Sequence, residues 1–196
     1  MTQPHFLQAQ LPTLAEQLAG FEQQISALAQ EIGLTLSNYE IDHIALRVNT
    51  PERGQAWLAV LQDNGEVISS NIINGRPIYL IKLREPLHLF AQSIAVVELP
   101  MPKKPYPIEG WEHIEVVLPT RAGETPSQWC ARVIEQFDLK AKTALCLKID
   151  APKGAGEGLD NTTIAITKLD NSKNKCCIKL HSHSIIEVID SESEFS

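Results

Sequence analysis

An α+β fold, with two β-α-β-β-β modules forming curved mixed sheets around a cleft and an N-terminal helix ahead of them, is predicted by three observations. The stretches "IDHIALRV" (41–48) and "WEHIEVVLP" (111–119) carry an acidic residue, a histidine and an isoleucine in one register. Each is followed by a segment of helical period with a tryptophan at nearly the same offset, Trp57 and Trp129. Each helical segment then leads into three strand-like runs. Internal duplication of this kind decides a fold before any single element does. Residues 1–37 read as an N-terminal helical segment and 38–190 as the paired modules (38–99 and 110–190, with a linker at 100–109). Residues 191–196 read as a disordered acidic tail.

From Thr13 to Ile32, Leu14, Leu18, Phe21, Ile25, Leu28 and Ile32 recur at helical spacing. Thr13 with Glu16 predicts a capping box and Gly33 a stop. This helix has no partner of its own, so it is expected to pack on the modules. In the first module "PERGQAWLAVLQDNG" is helical, and "GEVISSNI", "RPIYLIKL" and "SIAVVELP" are strands, with Asn74-Gly75 as a hairpin turn. The proline-rich "PMPKKPYPIEG" cannot join a ladder and separates the modules. In the second module "TPSQWCARVIEQFD" is helical, and "TALCLKID", "TTIAITKL" and "KCCIKLH" are strands, with "DNSKNK" as the last turn. The glycine-bearing "APKGAGEG" lacks the phosphate-loop pattern and reads as a flexible loop over the cleft.

Composition removes several classes of function. A net charge of −7 argues against a nucleic-acid partner. No window approaches a membrane span, and the first residues lack the regions of a signal peptide. The four cysteines show no paired-ligand spacing, which predicts a reduced, cytoplasmic protein. A monomer and a homodimer are both consistent with the sequence.

Side chains alternate across a strand. Ile44, Leu46 and Val48 therefore share one face, while His43, Ala45 and Arg47 share the other. In the second repeat Ile114, Val116 and Leu118 oppose His113 and Glu115. The helices cover the aliphatic faces, so both histidines are expected to look into the cleft, within reach of one metal ion. On the last strands Glu98 and His181 fall on that same face. Two histidines, a carboxylate and a fourth donor suit a divalent ion such as Zn, Fe, Mn or Ni. A lone strand histidine is usually structural, but repetition in phase favours a ligand role. His5 and His88 read as surface residues. Arg47 and Arg76 are candidates to clamp a substrate carboxylate or phosphate, against the plainer alternative of an internal ion pair with Glu98, Asp42 or Glu115. Tyr79 and Trp111 are candidate pocket residues, with core packing as their plainer role.

The stretches "DHIALR", "INGRPIYLIKLREP", "VELPMP", "YPIEGWEHIEVVLP", "APKGAGE" and "IKLHSHSIIEVI" resemble the YecM family, from the N-terminal helix to about Ile189. The duplicated module resembles the vicinal-oxygen-chelate superfamily, the glyoxalase and bleomycin-resistance fold. That resemblance implies a metal held by first-strand ligands at His43 and His113 and by a last-strand ligand at Glu98. The second module departs from the pattern, since Lys179 stands opposite Glu98 in register and a cation is a poor ligand. His181 is then the favoured fourth ligand, with Glu115 the alternative, as ligand or as base. Two functions are consistent with this site: a metal-dependent isomerase, lyase or dioxygenase with Glu98 and Glu115 as catalytic carboxylates, or a non-catalytic small-molecule binder using the same cleft.

Overall fold

The computed structural model describes residues 5–151, 159, 162–170 and 176–193. The expected loop at 151–158 and the turn at 170–175 lie almost wholly outside the described residues. The helices are α1 (Phe6–Gln10), α2 (Pro12–Ile32), α3 (Pro51–Asp63), α4 (Pro126–Gln136) and α5 (Ile185–Ser193). The first-module strands are β1 (Ile41–Arg47), β2 (Gly65–Ser69), β3 (Ile72–Ile73), β4 (Arg76–Leu89) and β5 (Gln92–Pro100). The second-module strands are β6 (Gly110–Val117), β7 (Leu145–Asp150), β8 (Thr163–Lys168) and β9 (Cys177–His181).

All of them join one sheet in the order β2-β4-β5-β1-β6-β9-β8-β7, with β3 paired to β4. The two modules are related outward from a central seam. β1 runs parallel to β5 and β6 parallel to β9, while β1 and β6 meet antiparallel. Asn74 and Gly75 both take positive φ, 52° and 72°, as a two-residue hairpin with right-handed strand twist demands.

The aliphatic face of the seam is the core. Ile44, Leu46, Ile114 and Val116 are buried there with Trp129 and Val133 of α4 and Leu58 and Leu61 of α3. Each module helix starts on a threonine cap, Thr50 or Thr125, and α4 forms a full capping box with Gln128. The Trp129 indole donates to the Leu118 carbonyl at 2.6 Å, locking α4 to the end of the β6 strand path.

The long helix α2 packs on β6 and β9, burying Leu14, Phe21, Ile25, Leu28 and Ile32. The Trp111 indole donates to the Leu14 carbonyl at 2.9 Å. Trp111 is therefore a core anchor for this helix and not a pocket residue. Gly33 ends α2 in the left-handed conformation, as expected. The Thr13–Glu16 box does not form: the helix begins one residue earlier at Pro12, with Leu11 as its cap. Proline at the first position needs no N–H partner, and α1 runs directly into it. Gly110 has φ +131°, a backbone conformation that residues with a Cβ rarely adopt, so this turn into β6 favours glycine.

At the C-terminus, α5 extends through Ser193, so residues 191–193 belong to a helix and not to a tail; 194–196 lie outside the described residues. Among the described residues no helix is long and apolar enough to cross a membrane.

Ile25 is fully buried at the middle of α2. Ile25→Ala is expected to lower unfolding free energy by about 2–5 kcal/mol, the range for truncating a buried isoleucine. Urea denaturation measures it; a loss well under 1 kcal/mol would show that α2 lies outside the cooperative core.

Candidate metal centre

The site is built by the β1–β6 seam. Ile44 pairs with Ile114, so the pseudo-twofold axis relating the modules passes between them. His43 then stands opposite Glu115, and Ala45 opposite His113. The register shifts twice, between Ile41 and His43 and between Ala45 and Leu46. In the first shift Asp42 is the extra residue; in the second it is Glu112. These are symmetric β-bulges, in which two residues face one and alternation is broken. Strict alternation aims Asp42 and Glu112 away from the histidines next to them in the chain. The bulges bring them back.

His43, Glu98, His113 and Glu115 each offer one ligand atom, and these atoms lie within 4.8 Å of one another. They form a ring in which histidine and carboxylate alternate. His43 Nε2 is 3.7 Å from Glu98 and 3.4 Å from Glu115. His113 Nε2 is 3.9 Å from Glu98 and 3.3 Å from Glu115. Donors about 2.1 Å from a common ion stand roughly 3.0–3.5 Å apart, so the ring is close to a coordination polyhedron. His43 Nε2 is buried with no hydrogen-bond partner. Its other nitrogen, Nδ1, donates to Asp42 Oδ2 at 2.9 Å, which directs the Nε2 lone pair into the ring. An orphaned buried nitrogen aimed at two carboxylates fits a cation between them. Glu112 Oε2 approaches His113 Nδ1 at 3.7 Å, the counterpart of Asp42 in the second repeat.

Around the ring lie the fixing groups. Asp42 Oδ2 also accepts the Ile185 N–H at 2.9 Å, tying the start of α5 to His43. Lys179 Nζ bonds Glu115 Oε1 at 2.7 Å, and His181 Nε2 meets Glu115 Oε2 at 2.6 Å. Arg47 pairs with Glu112 and lies 4.7 Å over the Tyr106 ring.

The electrostatics reflect this crowding. Burial pushes His43 toward its neutral form, but the Glu115 charge, the hydrogen bond to Asp42 and the nearby Glu98 carboxylate outweigh it, and its pKa is raised well above the ordinary value. Burial pushes Glu115 up, yet His181, His43 and Lys179 hold it well below the usual carboxylate range. For Glu98, Lys179 and His43 likewise overcome burial and lower the pKa. Glu112 is brought to about 2, with His113 and Arg47 overcoming its burial. The cations around Glu98 and Glu115 thus outweigh the effect of their burial.

The structure brings His43, Glu98 and His113 together and adds Glu115 to them. His181 instead binds Glu115 from outside the ring, with Thr163 beside it. Arg47 forms an internal ion pair, but with Glu112 and not with the three acids considered. Arg76 lines the cleft above the ring; Tyr79 does not, since its neighbours Ile78 and Leu80 hold the cleft-facing phase. His88 bonds Ser93 at an exposed position, and His5 meets the Glu85 carbonyl. The ring contains no cysteine. Sequence reasoning missed the orienting roles of Asp42 and Glu112. The signal was present as an acid before the histidine in both repeats.

In metal-free protein the protonated His43 favours the fold. Its folded pKa lies above the unfolded value, so this stabilisation is complete below about pH 6.5 and is lost as pH rises through the raised value. Glu98 and Glu115 act in the opposite sense, stabilising above about pH 4.5 and losing that effect as pH falls through their lowered values. Chelator-treated protein is expected to melt at progressively lower temperature from neutral pH upward, and again toward strong acid. A melting temperature flat on both sides would contradict the charge arrangement.

Comparison with known proteins agrees with the fold. The model of the YecM protein family matches residues 10–192. An uncharacterized protein of Haemophilus influenzae is 46% identical over 180 residues, covering 91% of this chain and 93% of its own. Protein YecM of Escherichia coli is 37% identical over 184 residues, covering 93% and 94%. A solved structure titled "Structural Genomics, Protein EC4020" superposes with a TM-score of 0.79 at 33% identity, covering 98% of both chains. The chain belongs to the YecM family.

Proposed function

We propose that this protein binds one divalent metal ion through His43, Glu98, His113 and Glu115. On this reading it is an enzyme of the vicinal-oxygen-chelate type, acting on a small oxygen-rich molecule by isomerase, lyase or dioxygenase chemistry, in the reduced cytoplasm. The observation that carries the reading is His43 Nε2, buried without a hydrogen-bond partner and facing two carboxylates while Asp42 holds the other ring nitrogen. Imidazole and carboxylate donors suit Zn, Fe, Mn or Ni. Such an ion supplies Lewis acidity to two neighbouring oxygens of a bound molecule.

The chain's own residues divide the remaining work. Asp42 fixes the tautomer of His43, and Glu112 stands behind His113. Lys179 and His181 hold both oxygens of Glu115, so that carboxylate is positioned firmly. Glu98 has contacts of only 3.7 and 3.9 Å to the histidines. It is the carboxylate freer to turn toward a ligand and take a proton at its oxygen. The cleft of about 270 Å³ is walled by Ile185, Val188 and Ile189 of α5, which keep water from one side of the ring.

A second reading, a binder that does not transform its ligand, is favoured by the lowered pKa values of Glu98 and Glu115. A base working near neutral pH is usually tuned the other way. Turnover, as against binding alone, separates the two.

Protein purified without affinity tag or chelator is expected to carry about one metal ion per chain by plasma mass spectrometry. His43→Ala and His113→Ala are expected to abolish it; unchanged metal content in both variants would sink the proposal. Asp42→Asn leaves the ligands in place and is expected to weaken metal binding by about 10–100-fold, as loss of an orienting carboxylate does. Competition against a metallochromic dye measures this, and an affinity equal to wild type would remove Asp42 from the site.

A further inference from the structure

The two modules agree at the histidines and disagree beside them. Glu98 pairs with Ala45 across β5 and β1, whereas the matching pair across β9 and β6 is Lys179 with Glu115. A strictly repeated site would place an acid at 179 and a small residue at 115. Here the acid stands on the first strand instead, and a cation occupies the last-strand place. Lys179 lines the cleft, bonded to Glu115 on one side.

The other charged groups lining the cleft fall into pairs. Glu112 is met by Arg47, and Lys148 by Asp150 at 2.7 Å. Arg76, at the first residue of β4, faces the same cleft and has no ion-pair partner among the described residues. A divalent ion is balanced by Glu98 and Glu115. With it in place, Glu115 is shared between the ion and Lys179, and Arg76 on the wall has no carboxylate partner among the described residues. Ser69, Asn71 and Thr163 add neutral hydrogen-bonding groups, and Ile73, Ile78 and Leu80 close one side. A guanidinium fork without a partner suits a carboxylate or a phosphate.

Resting on the metal site above, we propose that the cleft selects a small anionic molecule bearing a carboxylate or phosphate, with Arg76 and Lys179 recognising the charge. The ligand's oxygens face the ring and its anionic group faces the two cations. Arg76 has no contact with the ring and serves specificity, not metal retention.

The test uses isothermal titration calorimetry on full-length, metal-loaded protein with three probes: glycolate, its uncharged amide glycolamide, and inorganic phosphate. Glycolate and glycolamide share neighbouring oxygens and differ in charge. Glycolate or phosphate is expected to bind at least about 10-fold more tightly than glycolamide, the worth of one charge-assisted hydrogen bond. Which anion binds tighter assigns the group recognised. Arg76→Gln is expected to lower anion affinity by about 10-fold or more. Its metal content and its glycolamide binding are expected to stay as in wild type. Equal binding of glycolate and glycolamide with no phosphate binding, or anion affinity untouched in Arg76→Gln, would overturn the proposal while leaving the metal site standing. A chain that takes up no metal sinks the metal site instead. In that case phosphate binding by the metal-free protein, weakened in Arg76→Gln, supports the anion site, and its absence overturns it.

Discussion

Ile44 opposite Ile114, in the antiparallel pairing of β1 with β6, is the constraint on which the rest of the structure depends. Both strands bury an aliphatic face against the helices, and a slip of one residue would turn those faces to the cleft. Burial of Ile44, Leu46, Ile114 and Val116 therefore fixes the register before any polar group is considered. Once it is fixed, His43 and His113 must emerge on the opposite face, one on each side of the axis, with ring centroids 6.4 Å apart. The core positions the site. Parallel addition of β5 and β9 then brings Glu98 and Lys179 to the same height by the same register.

The bulges at Asp42 and Glu112 convert this arrangement from two facing histidines into a directed donor set. Each inserts an acid beside its neighbouring histidine, and the acid at 42 makes a hydrogen bond of full strength. Asp42 also receives the first N–H of α5. The last helix of the chain, which walls the cleft, is thus joined through one carboxylate oxygen to a metal-ligating candidate on the first strand. Loosening of α5 and loosening of His43 are linked by that contact.

The duplication, the order of elements and the face carrying the histidines were legible in the sequence because each rests on periodicity, and periodicity survives folding wherever one face is buried. Asp42 and Glu112 were not legible as orienting groups, because a bulge breaks the very alternation from which the faces are read. Tyr79 lies one step out of phase with Ile78 and Leu80, the β4 residues that line the cleft. His181 was read as a ligand because its phase is right; two residues further along β9 than Lys179, it reaches Glu115 from the outside. Glu115 stood only as an alternative, since its repeat counterpart is Ala45 and symmetry gave no reason to expect a ligand there. The start of α2 moved to Pro12 because a short helix precedes it, too brief to show a period of its own.

The register of two strands has, on this account, built a four-donor cation site of two imidazoles and two carboxylates. Anomalous X-ray scattering at the edge of the metal found in the purified protein tests that claim most directly, on crystals grown without chelator. The expected result is one peak per chain, about 2.0–2.3 Å from His43 Nε2, His113 Nε2 and an oxygen of each of Glu98 and Glu115. A peak elsewhere, or none at this position in protein that carries metal, would contradict it.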